Sequence, residues 1–466
     1  MKKFLFFIFT FLVTFSKVGF GQDKPNILFV FIDDMGYGDL NCYGNTLHAT
    51  PNIDKLANEG IKFTQFYVNA PICSPSRVAV TTGQYPSRWE ITSFINDKKS
   101  NAERGMRDFL DLSAPSLARN LQDAGYYTAH IGKWHMGGGR DIGNVPYISE
   151  YGFDESVTQF EGIGERYLAI YETLDLKDST RNLEKMSAAL GKGEIHWLKR
   201  ENFTSVFVTR AIKAIEKAHD ANKPFYINLW PDDVHTPLEP PKHLRGNGDT
   251  QDHYSGVIKE LDSQLKRLFD YINTNPSLKN NTLIILASDN GPAKGVGSAG
   301  KLKGHKATLY EGGIREPLIV WGPSIIYEKH STINTQSVIA GMDLVPSILK
   351  IAGAKKTKGV NYDGIDMSRA LLGHKMVQRN KPVMWQRPPG IKKMNKDTDN
   401  PDLAIREGDY KLLINVDGSN PKLYNILEDE GETTNLEKKY PALTKRLKKK
   451  ILDWYSTMPP LIDSKP

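Results

Sequence analysis

Short apolar runs alternate with amphipathic stretches along most of the chain. In PNILFVFIDDMGYGDL, residues 27–32 are continuously apolar and end abruptly at Asp33 and Asp34. A run of that kind predicts a buried strand covered on both faces. Ile53, Leu56 and Ala57 follow at helical spacing, Gly60 stops the helix, and IKFTQFYV reads as a second strand. The order helix, strand, polar residues returns in SLARNLQDAGYYTAHIGKWH and in SVFVTRAIKAIEKAHDANKPFYINLWPDDVH. It returns again in SGVIKELDSQLKRLFDYINTN, which leads through Pro276 to NTLIILASDNG. This alternation predicts an open, parallel α/β sheet with its functional groups at the carboxyl ends of the strands.

Two regions break the pattern. Residues 141–200 lack clear alternation and read as an insertion. From about residue 375 the chain is rich in loops, and then LAIREGDYKLLINV and KLYNIL read as antiparallel strands. A closing helix is predicted over residues 440–455. The charge run KRLKKKILDW on that helix reads as a solvated face. The expected organisation is a catalytic part over residues 22–374 and an α+β subdomain over 375–466.

A length of 466 residues fits one large domain plus a smaller one. The chain opens MKKFLFFIFTFLVTFSKVGFGQDKPN. Lys2 and Lys3 precede an apolar stretch too short to span a bilayer, and Gly19 and Gly21 supply small residues for cleavage. Residues 1–21 therefore read as a signal peptide, with a non-cleaved anchor as the alternative. The absence of a cysteine after the apolar stretch argues against a lipid anchor, and no stable membrane insertion is expected. Removal of Lys2, Lys3 and Lys17 takes the formal charge from +7 to +4. That mild basicity suits an anionic substrate, and no nucleic-acid partner is expected. Export would allow the only two cysteines, Cys42 and Cys73, to form one disulfide.

Asp33 and Asp34 end one predicted strand, and Asp289 and Asn290 end another. Each pair alone is an ordinary turn or cap. Converging from one sheet, three carboxylates and an amide oxygen make a hard donor set suited to Ca²⁺ or Mg²⁺. Arg77, Lys133, His135, His235 and Lys306 occupy Gly- and Pro-rich loops or follow predicted strands. A divalent metal ringed by such cations suits a tetrahedral oxyanion ester.

The stretch CSPSRVAVTTG, beginning at Cys73, resembles the type I sulfatase signature. PNILFVFIDDMGYGDL, TPNIDKLANEG, GKWHMG, HTPLEPP, SDNG and YEGGIREP support it in the family's order, over roughly residues 25–325. LAIREGDYKLL and KLYNILEDEGETTNL resemble the family's C-terminal part. The resemblance implies an alkaline-phosphatase-like α/β fold. Its large mixed, mostly parallel sheet is sandwiched by helices, and a smaller C-terminal α+β subdomain carries a short antiparallel sheet. It implies that a maturation enzyme converts Cys73 to formylglycine, which sets the disulfide aside and leaves Cys42 as a small buried residue. It also implies one Ca²⁺ held by Asp33, Asp34, Asp289, Asn290 and the modified Cys73. The hydrated aldehyde, activated by the metal and Asp289, would attack sulfur and form a covalent sulfo-enzyme. His135 would assist its collapse, Arg77 and Lys133 would hold the modified side chain, and His235 and Lys306 would serve the leaving oxygen.

The implied activity is that of an exported sulfatase, periplasmic, with secretion or cell-surface display as alternatives. A sulfated carbohydrate is the expected substrate, partly because the loops YISEYGF and MWQRPPG are aromatic. The variable loops are 141–200, 230–250 and 380–400. The rivals are a phosphonate monoester or phosphodiester hydrolase of the same superfamily and a non-catalytic binder of sulfated glycans. His305 reads as a loop residue or a substrate contact. Asp232 and Asp233 read as partners for substrate hydroxyls or as loop shapers.

Overall fold

Strand β1 (Asn26–Ile32) shows how the main body is built. Ile27, Phe29 and Phe31 point into one hydrophobic core, whereas Leu28, Val30 and Ile32 point into a second. A strand side chain alternates in direction with every residue, so a strand buried on both faces has to be apolar throughout. The computed structural model describes residues 24–172, 179–327, 332–374, 377–388 and 400–460. Residues 1–21, expected as a signal peptide, and the expected boundary at 375 lie outside the described residues. No helix among the described residues is long and apolar enough to cross a membrane.

The further strands are β2 (Ile61–Tyr67), β3 (Tyr127–Gly132), β4 (Glu155–Gln159), β5 (Arg166–Ile170), β6 (Ile195–Lys199) and β7 (Phe225–Trp230). They are followed by β8 (Thr282–Ser288), β9 (Arg315–Trp321), β10 (Thr332–Asn334) and β11 (Ile339–Ala340). Together they form one sheet in the order β10-β2-β9-β8-β1-β7-β3-β4-β5-β6, with β11 also on β2. β9 runs antiparallel to β8 and β2, and every other pairing in the sheet is parallel. The helices Phe203–Asp220 and Thr250–Thr274 cover one face. The helices Cys73–Thr82, Leu117–Asp123 and Leu344–Ile351 cover the other. Gly60 caps the helix Pro51–Glu59, as its sequence position predicts.

Residues 141–200 depart from expectation. They extend the main sheet through β4, β5 and β6 and add the helix Ser179–Ala189. These strands have five residues each, and β6 is half exposed, so the apolar periodicity that betrays a central strand is missing. Tyr151 and Phe153 of the aromatic loop are core residues rather than surface platforms, and so is Trp385. The Tyr151 hydroxyl donates to the Leu110 carbonyl and the Trp385 indole donates to the Val68 carbonyl.

Four antiparallel strands, β12 (Val383–Gln386), β13 (Leu403–Glu407), β14 (Tyr410–Ile414) and β15 (Lys422–Asn425), form a second sheet. Leu403, Ile405, Leu412, Ile414 and Leu423 pack against Leu447 and Ile451 of the helix Pro441–Ser456. Trp385, Ala404, Leu413 and Tyr424 face the opposite way and join the core of the main body.

Candidate active site

The parallel register brings the four site-bearing strand ends to one edge of the sheet. Ile32 of β1 lies opposite Ser288 of β8, and Gly132 of β3 lies opposite Trp230 of β7. The backbone continues this pairing past the strands. The Asp33 amide donates to the Pro231 carbonyl (3.0 Å), Asp289 to Ile32 (3.1 Å), and Lys133 to Trp230 (2.9 Å). Gly132 has φ +113°, and a Cβ there would lie 2.2 Å from the Trp230 carbonyl oxygen. Only glycine allows β3 to turn so close to β7 and deliver Lys133. Cys73 is the first residue of the helix Cys73–Thr82, where unpaired amides favour negative charge. The loop bearing Lys306 is tied in by Ala307 N–H to the Pro71 carbonyl (2.7 Å) and Lys306 N–H to the Pro292 carbonyl (2.9 Å).

Asp33, Asp34, Asp289, Asn290 and Arg77 are buried together. Arg77 Nη2 donates to Asp33 Oδ1 (3.2 Å) and Asp289 Oδ2 (2.8 Å). Lys133 Nζ donates to Asp33 Oδ2 (2.6 Å), and Lys306 Nζ grips both oxygens of Asp34 (2.6 and 2.7 Å). Burial opposes the charge on Asp33, but Lys133, His235 and Arg77 outweigh it and hold that carboxyl well below the usual range. Burial and then the Asp33 charge drive the Asp289 carboxyl well above it.

Oxygens of Asp33, Asp34 and Asp289 lie within 4.8 Å of one another. Asn290 Nδ2 donates to Asp34 Oδ1 (2.7 Å), while Asn290 Oδ1 is buried without a partner. Three clustered carboxylates and an orphaned amide oxygen fit a hard divalent cation. Asp34 (φ +59°) and His135 (φ +53°) both adopt the left-handed conformation that side chains disfavour. Such strain persists where surrounding structure over-determines it.

Cys73, Lys133, His135, His235 and Lys306 line one cavity of about 230 Å³. Burial would raise the Cys73 thiol, but the charges of His135, Lys133 and Lys306 prevail and bring it down to about 7. Burial opposes the charge of Lys306 as well, yet Asp34 beside it raises its pKa. His135 Nε2 meets Glu161 Oε2 at 2.7 Å and the Ile95 carbonyl at 3.0 Å. Despite burial, Cys73 and Glu161 raise the His135 imidazole and favour its protonated form. His235 is a third exposed and lies 3.8 Å from Asp34 Oδ2. Burial, then Lys133 and Lys306, lower it to about 4.

Arg77 faces the carboxylates and the Lys133 carbonyl (3.1 Å), so it positions the acidic cluster rather than lining the cavity. Glu161 and Arg140 are cavity residues missed in the sequence. They form an ion pair (2.9 Å) that backs His135; the only signal for Glu161 was a place inside the apparent insertion, and Arg140 stands just before it. Asp232 lines the cavity, whereas Asp233 turns away to the Thr204 hydroxyl. His305 does not line it, and its Nδ1 bonds the Lys306 carbonyl (2.8 Å). The cavity's aromatic walls are Phe94, Phe160 and Tyr171, not the aromatic loops singled out in the sequence. Both cysteines are free, and Cys42 is half-buried rather than fully enclosed.

A family model described as Sulfatase matches residues 25–354. The N-acetylgalactosamine-6-sulfatase of Sus scrofa is 30% identical over 396 residues, spanning 81% of this chain and 72% of the relative. The N-acetylgalactosamine-6-O-sulfatase of Bacteroides thetaiotaomicron is 26% identical over 500 residues, spanning 92% and 93%. Among solved structures, Ps i-CgsB in complex with k-i-k-neocarrahexaose superimposes with a TM-score of 0.77 at 25% identity, covering 95% of this chain and 94% of that one.

Proposed function

This chain belongs to the sulfatase family and is a sulfuric ester hydrolase, and from that premise we propose that it releases sulfate from a sulfated carbohydrate, with Cys73 as formylglycine and one Ca²⁺ bound. The observation that carries the reading is the position of Cys73. It opens a helix at the cavity wall, among Lys133, His135 and Lys306 and beside the acidic cluster. Formylglycine supplies a hydrated aldehyde whose oxygen can attack sulfur. Ca²⁺, held by Asp33, Asp34, Asp289, Asn290 and residue 73, would neutralise the ester's charge.

The protein's own groups account for the rest. Arg77 fixes Asp33 and Asp289, and Glu161 holds His135 Nε2 and favours its protonated form. Lys133 and Lys306 bring fixed positive charge to the sulfate end of the cavity. His235 is held neutral in the free protein, and it gains its proton as the anionic ester enters and gives it to the leaving oxygen. The carbohydrate class is supported by the relatives' substrates as their names give them. Residues 1–21 serve as an export signal, with the periplasm as destination, and a maturation enzyme acts on Cys73. Residues 22–374 are the catalytic part and 375–466 the C-terminal part.

The deciding measurement is the mass of the tryptic peptide FTQFYVNAPICSPSR, residues 63–77, after expression with an active maturation system. Conversion removes sulfur and two hydrogens and adds one oxygen. An intact thiol under those conditions removes the nucleophile. Relative rates on sulfate, phosphate and phosphonate esters then separate a sulfatase from the phosphonate rival.

Asp289→Asn is expected to weaken Ca²⁺ binding by more than ~100-fold, because a direct ligand costs more than its outer-shell support. Calcium content after gel filtration, by elemental analysis, tests this without an activity assay. Stoichiometric calcium in the variant would remove Asp289 from the site. His235→Ala should slow a sugar sulfate by ~10²–10⁴-fold and 4-nitrophenyl sulfate far less, since a good leaving group needs no proton. Equal losses on both esters would take the acid role away from His235.

A further inference from the structure

The cavity has a second pole that the sulfate chemistry leaves unused. Glu184 and Asp232 line it and are 2% and 3% exposed. Glu184 Oε1 accepts from the Tyr171 hydroxyl (3.1 Å), but Oε2 is buried with no partner. Asp232 Oδ2 accepts from Arg200 Nη1 (3.1 Å), but Oδ1 is likewise buried with no partner. Arg200 spends its other contacts on the carbonyls of Pro237 (3.1 Å), Asp232 (2.7 Å) and His235 (3.0 Å). It therefore braces the loop beneath His235, and each of the two cavity-lining acids keeps one buried carboxylate oxygen without a donor. Buried acceptors without donors are costly, and the two are met here in one enclosed place. Phe94, Phe160 and Leu183 give the same cavity apolar walls, against which the face of a sugar ring can pack.

Resting on the sulfatase reading, we propose that Glu184 and Asp232 are the specificity-determining acceptors for hydroxyl groups on the sugar that carries the scissile sulfate, and that they exclude a second sulfate on that ring. One end of the cavity is cationic, from Lys133, His135 and Lys306, and takes the sulfate. The other end carries two carboxylates, Glu184 and Asp232, the latter paired through one oxygen with Arg200, and takes hydrogen-bond donors. A monosulfated ring with free hydroxyls satisfies both ends. A disulfated ring presents an anion to two carboxylates, which is discrimination by repulsion as well as by attraction.

The test uses the full chain carrying Cys73→Ala, so that ligand is not consumed, with calcium present. Calorimetric titrations are run at pH 8, because burial lifts the Glu184 carboxyl to about 7 and it is ionised above that. The probes are galactose 6-sulfate and N-acetylgalactosamine 6-sulfate, each compared with its 4,6-disulfate. At least one monosulfate should bind about tenfold tighter than its disulfate. Glu184→Gln and Glu184→Leu should close that gap to within about threefold, by weakening the monosulfate, with no fall in melting temperature. Retention of the melting temperature separates a ligand-facing carboxylate from a structural one. Equal binding of mono- and disulfates by the wild-type site would overturn the proposal. So would no binding of either monosulfate, an unchanged gap in both variants, or a lower melting temperature in both. Sulfate release by the matured wild-type enzyme is measured separately, and its failure sinks the sulfatase reading even where the discrimination between mono- and disulfates holds.

Discussion

Cys73→Ala is expected to lower sulfate-ester turnover by at least ~10⁴-fold while the protein folds normally, since loss of a catalytic nucleophile has effects of that order. The thiol position is buried at the cavity wall, and its apolar neighbours are Ile72 and Ala307. Alanine keeps the helix Cys73–Thr82 and removes only the sulfur, so the cost to stability is on the order of 1 kcal/mol. What disappears is the one side chain at that wall that can carry a nucleophilic oxygen after maturation. The groups around it, Lys133, His135 and Lys306, are cations that bind and polarise but do not attack. Sulfate release from the wild type and the variant, prepared together with the maturation system, is the comparison to make. Circular dichroism and thermal melting serve as the check on folding. A variant that retains a tenth of wild-type activity would refute the role of Cys73.

The second large effect falls on residues that do not line the cavity. Lys411→Met is expected to destabilise the protein by about 3–5 kcal/mol, the penalty for stripping a buried charge of its partner. Lys411 on β14 is fully buried between Glu311 (2.9 Å) and Glu432 (3.0 Å), both also fully buried. Glu311 accepts from the Tyr67 hydroxyl (2.6 Å) and lies 3.6 Å from Arg315, and its amide donates to Glu432 (2.7 Å). Burial opposes its charge, yet Lys411, Arg315 and Arg406 hold the Glu311 carboxyl below its usual value. Burial already pushes Glu432 up to about 7 even with Lys411 beside it. Without that ammonium, two carboxyls must share a dry space. Glu311 follows the loop that carries Lys306, so the second sheet supports the catalytic edge through this contact. Thermal inactivation and urea midpoints measure the effect. A midpoint unchanged from wild type would mean that the cluster is not a fastening between the two sheets.

Much of this molecule was legible before folding. Residues 27–32 announced a doubly covered strand because every position must be apolar when both faces are buried. Asp33, Asp34, Asp289 and Asn290 were recognisable because both pairs follow buried strands of one predicted parallel sheet, whose carboxyl ends gather functional groups. β4, β5 and β6 were not legible. They are short strands toward the sheet's edge with mixed exposure, and a half-buried strand of five residues carries too little periodicity to be told from a loop. The aromatic loops misled for a related reason: Tyr151 and Trp385 look like sugar platforms in sequence, but depth decides whether a ring meets ligand or core.

By itself, then, the sequence determined the strand–helix order, the family and the identity of the groups at the strand ends. Those are local properties, written in periodicity and in contiguous motifs. Tertiary structure alone decided that Arg77 lies behind the carboxylates, 212 residues from Asp289 in sequence and 2.8 Å from it in space. It alone supplied Glu161 to His135, placed Glu184 and Asp232 in one cavity with Lys133, His135 and Lys306, and buried Lys411 between two acids. These are pairings between remote segments, created when the sheet is assembled and water is excluded. A sequence states which charges exist, but only the packed fold determines which of them must face one another in the dry interior.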